Sequence, residues 1–212
     1  MPTKESAAQQ PVATRTDRAM VRWIVEAVLI LVSVAVGFAA SELGQYRESR
    51  ALERAVLAGV REEVEVNLAE LEPLLIKHRE WQAALAGPTA SDTAKTAFDV
   101  LFVLRPDAGV TIGVPLRRAA WNTAVSAGAL RLMDYEVAAA ISEIYGYEEL
   151  MVENHNRLVG AALYSPATFD PATRQTAVRV LWGVLSEIAG NEAALRDLYV
   201  KHLPVLQAAA AN

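Results

Sequence analysis

The sequence predicts an all-α protein: one transmembrane helix continuous with a long amphipathic helix, followed by a compact helical bundle of about five or six helices. Three observations carry that prediction. The composition, rich in Ala, Leu, Val and Glu with few glycines outside breaks, favours helix. Apolar residues recur three and four apart along most of the chain, while the one β-like run, 110–114, is too short and solitary to make a sheet. Finally, residues 23–43, WIVEAVLILVSVAVGFAASEL, carry Glu26 as their only charge before Glu42. At ~1.5 Å per residue they span about 30 Å, the thickness of a bilayer's hydrocarbon core.

With a tail and that span set aside, about 165 of the 212 residues remain, enough for one domain with a core. Residues 1–22 hold four basic and two acidic side chains, whereas the chain from Arg47 onward holds 16 basic and 21 acidic ones. An acidic domain with scattered arginines repels a phosphate backbone, so nucleic acid is excluded as a partner. The absence of cysteine removes disulfides and thiol chemistry and decides nothing about compartment.

Residues 1–16 are polar, hold two prolines and lack an apolar period, and read as a disordered tail. The anchor follows at 17–44, with Arg18 and Arg22 at headgroup level and Trp23 as the interfacial aromatic. Glu26 lies one turn beyond Arg22 and can pair with it while snorkelling outward. That shallow pairing is favoured over an intramembrane proton or ion site. An uncleaved anchor is favoured because the apolar run is of full spanning length and the helical pattern continues through Glu42. Cleavage near Ser41, which would release a secreted helical domain, is the alternative. Arg15, Arg18 and Arg22 flank one end and Arg47, Arg50 and Arg54 the other, so the comparison of basic residues is a tie. An orientation with the N-terminus inside is preferred, because arginines packed against the span resist translocation. Ser33, Gly37, Ala40, Ser41 and Gly44 put small residues on one face, which would let two helices approach as a homodimer. The competing reading is that membrane spans are generally rich in Ala, Gly and Ser.

From 45 to 85, Leu52, Val56, Val60, Val64, Leu68, Leu71 and Leu75 form one stripe, with Arg, Glu and Asn assigned to the opposite side. Pro73 removes a backbone donor and is expected to kink or restart this helix. Glu62, Glu63 and Glu65 suggest a cation site, but adjacent positions point to different faces, so a solvated surface is preferred. Residues 86–212 then make a helical domain packing on the amphipathic helix. A loop at 87–92, with Ser91 or Asp92 as N-cap, leads to a helix at about 93–104, and 105–109 turns the chain. Pro115 suits the first turn of a helix to about Ala127, ended by Gly128. Asp134 caps a helix at about 135–164, with Val137, Ile141, Ile144, Glu148, Met151, His155, Leu158 and Ala162 as its stripe and Pro166 as its end. Asp170 and Pro171 open another, with Val178, Leu181, Trp182, Leu185 and Ile188 inward, which Gly190 ends. Asn191 caps the last helix, running to about Leu206 or stopping at Pro204.

No phosphate loop, dinucleotide loop or hydrolase elbow occurs. Of His78, His155 and His202, none belongs to an H-E-x-x-H and none stands three after a glutamate, so zincin and di-iron patterns are missing. No catalytic residue, cofactor or metal is assigned, and an enzyme is not expected. Glu148 and His155 intrude on an otherwise apolar seam two turns apart, about 10 Å along the backbone. They could form a polar pocket or a pH-sensitive contact. The preferred reading is a core-edge pair, each satisfied by a neighbour such as Arg117, Arg118 or Arg131. Trp121, Trp182, Tyr135, Tyr145 and Tyr147 are read as core rather than as a ligand pocket.

Two stretches, EAVLILVSVAVGFAASELGQYRESRALERAVLAGVREEVEVNLAEL and AWNTAVSAGALRLMDYEVAAAISEIYGYEEL, resemble a family of small bacterial membrane proteins known only as a domain of unknown function. The resemblance lies in a span running straight into a charged helix, then an aromatic, a Ser-x-Gly turn, an acidic cap and a Tyr-bearing helix. Gly44-Gln45-Tyr46-Arg47 departs from the family's Asn- and Trp-rich segment. The resemblance implies a topology and no catalytic residues. The resulting expectation is a single-pass protein of a bacterial cytoplasmic membrane, its C-terminal domain outside the cytoplasm. It would act as a non-enzymatic interaction or scaffold module for a protein partner, or alternatively as an extracytoplasmic ligand-binding or stress-sensing domain.

Overall fold

The computed structural model describes residues 15–86, 96–103 and 115–211, without the side chains of residues 15–19, 21 and 101–103. Most of the N-terminal tail, the 87–92 loop with its proposed Ser91 and Asp92 caps, the 105–109 turn, the 110–114 run and the Arg18 side chain lie outside these. Helices α1 (Arg15–Ala86), α2 (Ala97–Val103), α3 (Ala119–Ser126), α4 (Tyr135–Leu163), α5 (Pro166–Phe169) and α6 (Arg174–Ala210) follow one another, with 3-10 turns at Ala129–Leu132 and Pro171–Thr173. The described residues contain no strand, so the protein is all-α as the periodicity predicts.

The chain divides into two units, 1–50 and 51–212. In the first, every described side chain from Arg22 to Leu43 is exposed along α1. One helix of the described residues is thus long and apolar enough to cross a membrane, and its apolar window buries nothing. Polar groups there close on the helix itself: Arg22 Nε meets Glu26 Oε1 at 3.0 Å, and Ser33 Oγ donates to the Leu29 carbonyl at 2.7 Å.

In the second unit, α4, α6 and the later part of α1 carry the core. One apolar cluster joins Val56 to Leu71 of α1, Val137 to Met151 of α4 and Leu195 to Leu206 of α6. Another joins Trp81 and Leu85 of α1, Ala162 of α4 and Ala177 to Leu185 of α6. Helices α1 and α4 therefore run the same way and α6 runs opposite. Parallel neighbours need a crossover, and the connection supplies it. Its α2 packs Ala97 and Val100 into the second cluster, and its α3 packs Ala124 into the first.

Several boundaries differ from expectation for physical reasons. Helix α1 does not restart at Pro73; Pro73 and Ala69, whose carbonyl loses its donor, both face solvent. Pro204 lies inside α6 in the same way, with Val200 half exposed four residues earlier. Nor do Gly190 and Asn191 break α6: Ile188, Ala189, Glu192 and Leu195 stay buried through that point, and tertiary burial outweighs a glycine's cost of about 1 kcal/mol. Helix α2 starts at Ala97 behind a capping box in which Thr96 N–H donates to Asp99 Oδ2 (2.8 Å) and Asp99 N–H to Thr96 Oγ1 (3.1 Å). Pro115 lies outside α3, which begins at Ala119, whereas Gly128 does follow its end, with a left-handed φ of 62° that favours glycine. Asp134 stands at the N-cap of α4 without a side-chain hydrogen bond, and Pro166 opens α5 instead of merely closing α4.

Candidate functional site: buried polar layers on the helix seams

On α6, Leu181, Leu185, Ile188, Glu192, Leu195, Tyr199, His202 and Leu206 are all buried at alternating spacings of four and three. That is a heptad seam with three polar members. The α4 seam carries Glu148 and His155, and α1 contributes Glu63, Asn67 and His78. These side chains meet in two layers.

In the first layer, Glu63 reaches the start of α3. Its Oε2 accepts from the Ala120 N–H at 2.8 Å, while Oε1 accepts from the Trp121 N–H at 3.2 Å and the Tyr145 hydroxyl at 2.6 Å. A carboxylate from another helix thus satisfies the open N–H groups of α3 and complements its dipole. This corrects the solvated reading of Glu63, which is buried while Glu62 is exposed. One turn on, Asn67 pairs with the backbone of Arg117 in both directions, Oδ1 accepting at 2.8 Å and Nδ2 donating at 2.9 Å. Asn67 therefore faces inward too, and it fixes the irregular 115–118 strap that precedes α3.

Glu148 sits beneath that strap with no exposed surface. Its Oε1 accepts from the Tyr199 hydroxyl at 2.6 Å and from Asn67 Nδ2 at 3.4 Å. Its Oε2 has no hydrogen bond and lies 3.6 Å from Arg118 Nε, which also has none. Burial pushes the Glu148 carboxyl up to about 7; the Tyr199 hydroxyl, the Arg118 charge and Asn67 oppose this, and the Glu63 charge adds to it. Burial likewise raises Tyr145 and Tyr199, reinforced by the carboxylates they touch, so both phenols remain hydrogen-bond donors.

In the second layer, His78 Nδ1 lies 2.9 Å from both oxygens of Glu192, with neither residue exposed. The His78 ring packs against Trp81, centroids 5.1 Å apart. His155 is nearly as buried, and desolvation lowers its pKa against the attraction of Glu192. The Nε2 atoms of His78 and His155 have no hydrogen-bond partner. Near the end of α6, His202 Nε2 meets Glu143 at 2.8 Å, and Lys201 reaches the same carboxylate at 3.2 Å.

The structure thus buries both Glu148 and His155 but places them in different layers. Of the neighbours considered for them, Arg118 approaches Glu148, Arg117 turns to Glu70 at 2.8 Å, and Arg131 is exposed. Tyr145 is core, with Trp121 stacked on it at 4.8 Å; Tyr147 is half-buried. Tyr135 and Trp182 are exposed, against expectation, because they stand off the seams. Ser33, Gly37, Ala40 and Ser41 are exposed on α1, Gly44 is half-buried, and a side chain at Gly37 or Gly44 would meet nothing within 4 Å. Arg22, Trp23 and Glu26 are exposed too, the two charges paired. The outer face of α4 and α6 holds a groove of about 660 Å³ lined by Gly146, Tyr147, Leu150, Ala194, Leu198 and Lys201 among others. No carboxylate or imidazole of the two layers opens into it. Among the described residues, no group of three or more His, Asp or Glu side chains is placed to hold a metal ion.

Fold and site together define a helical bundle, crosslinked by buried polar layers, that shares its first helix with an exposed apolar segment. Comparison with protein-family models, with curated proteins and with solved structures returns no match for this chain.

Proposed function

We propose that the chain is a single-pass membrane protein whose helical bundle acts as a non-enzymatic interaction module. The observation that carries this is the fully exposed apolar run within α1, a helix that goes on to supply one seam of the bundle. The 16 apolar side chains of residues 23–43 are untenable in water, and a bilayer accommodates them. The buried carboxyls of Glu63, Glu148 and Glu192 support the non-enzymatic reading, since each bonds to another buried side chain or to backbone instead of converging on a cavity. The location proposed is a bacterial cytoplasmic membrane, with the N-terminus inside and the bundle outside. A second reading, an extracytoplasmic sensing domain, draws on Glu148, a buried carboxyl that titrates near neutrality.

Fractionation with a C-terminal tag, followed by protease treatment of intact spheroplasts, tests the proposal. A full-length, membrane-bound and protease-accessible product is expected. A protected product reverses the orientation. A soluble product about 4 kDa smaller places cleavage near Ser41 and overturns the anchor.

A further inference from the structure

We propose that Glu148 is a proton-held latch on the 115–118 strap, keeping it closed while protonated and lifting it when ionised. The inference concerns the bundle alone and stands whether or not the membrane reading does.

The strap reaches the buried carboxyl through Arg118, whose Nε lies 3.6 Å from Glu148 Oε2. Residues 115–118 have no regular hydrogen bonding, Pro115 and Arg117 are exposed, and Leu116 and Arg118 are half-buried. What ties it down is the Asn67 pair with the Arg117 backbone, the Glu63 bonds to the first turn of α3, and Arg118. Arg118 is held by its other end, Nη2 donating to the Tyr145 carbonyl at 3.2 Å and lying 3.6 Å from Glu149. Its Nε and Glu148 Oε2 are both buried and both without a hydrogen bond.

With the strap closed, a neutral Glu148 is well accommodated. A proton on Oε2 removes the buried charge and leaves Oε1 accepting from the Tyr199 hydroxyl at 2.6 Å. An ionised Glu148 is not, because Oε2 has no donor within hydrogen-bonding distance and water is shut out. The groups that face it are Glu63 and Asn67 from α1, Arg118 from the strap, Tyr145 from α4 and Tyr199 from α6, while the exposed Glu149 of α4 meets the far end of Arg118. Glu63 repels the second charge, and Arg118 attracts it only from 3.6 Å. Lifting the strap admits water and frees Arg118 to close on the carboxylate. The closed form therefore holds the proton more tightly than the open form, and a rising pH must favour opening.

Hydrogen–deuterium exchange of the full-length protein, read on peptides covering 115–126 and corrected for intrinsic exchange, tests this. With the closed-state carboxyl at about 7 and the open one near its ordinary 4.5, strap opening should increase about tenfold from pH 6 to pH 8. In E148Q it should stay low at both. In R118Q, loss of the favourable charge should move the midpoint of the wild-type transition to higher pH; a purely structural arginine would loosen the strap equally at all pH. A wild-type strap whose opening does not change with pH overturns the latch, and so does an E148Q protein that keeps the tenfold change. If E148Q does not fold, an unmoved midpoint in R118Q overturns it instead.

Discussion

Replacing Glu63 with alanine tests whether a carboxylate on α1 holds the start of α3. The substitution removes acceptors from the Ala120 and Trp121 N–H groups and from the Tyr145 hydroxyl. The two N–H groups belong to a helix end beside exposed residues and can rehydrate, so their loss resembles that of an N-cap, about 0.5–2 kcal/mol. The Tyr145 hydroxyl cannot: the side chain has no exposed surface, and a buried donor without a partner costs about 1–3 kcal/mol. Together the loss should be roughly 3 kcal/mol. Glu63→Gln should lose about half of that, roughly 1.5 kcal/mol, because its amide keeps one acceptor but turns an NH2 toward donors. Glu62→Ala, at an exposed neighbour, should stay within about 0.5 kcal/mol of wild type. Urea unfolding followed by helical circular dichroism and by tryptophan emission measures all three. Emission adds a local readout, since Trp121 stacks on Tyr145. If Glu63→Ala falls within the range of Glu62→Ala, the remote-cap argument is refuted.

Glu148 sets a pH dependence of stability. Its folded pKa is raised from 4.5 to about 7, so its contribution is full below 4.5 and lost as pH rises through 7. The loss is roughly 3 kcal/mol by linkage, and Glu148→Gln should flatten the unfolding midpoint between pH 5 and pH 8. His155 acts in the opposite sense: with its folded pKa below 6.5, the stability it contributes is present above 6.5 and falls away under acid. His155→Leu should therefore unfold later than wild type at pH 5.5 and show no such gain at pH 7.5, which parallel melts will show. In lipid, Gly37→Leu should abolish cross-linked dimers if the small-residue face pairs, because the new side chain meets nothing within the monomer; an unchanged dimer band removes that face from consideration.

The helices were legible because periodicity reports burial. The α4 stripe from Val137 to Ala162, with Glu148 and His155 on it, is the buried face observed, save that Leu158 is half-buried. What misled was local punctuation. Gly190, Asn191 and Pro204 are stop signals by intrinsic preference, yet all three lie within a helix whose neighbours stay packed. The polar layers were legible only in part. Glu148 betrayed itself by standing where an apolar residue belonged. Glu192, Tyr199 and His202 stand on the α6 seam in the same way, but splitting α6 at Gly190 hid their common register with Leu185 and Ile188. Glu63 carried no signal of its own. One position before Val64, it reads as solvated unless the chain from 115 to 121 is known to return there, and that return is a tertiary fact.

The polar layers also decide how the seams align. Apolar heptads alone are nearly indifferent to a shift of seven residues, since Leu181, Leu185, Ile188 and Leu195 would exchange one leucine-like site for another. The layers are not. Moving α6 so that Glu192 takes the place of Tyr199 sets one buried carboxyl against another, removes the hydroxyl that donates to Glu148, and leaves His78 facing Leu185. Moving it the other way puts Leu206 where Tyr199 donates, stripping Glu148 of its 2.6 Å bond. Either slip strips a buried carboxyl of its hydrogen-bond partner, at a cost of about 1–3 kcal/mol. The test is to remove one layer whole. His78→Leu alone should destabilise by about 3–5 kcal/mol, because Glu192 keeps its burial and loses its partner. The double variant His78→Leu, Glu192→Leu should recover most of that stability, while amide resonances of α6 broaden or double as alternative registers become accessible. Sharp, single resonances in a fully stable double variant would show that the first layer alone fixes the register.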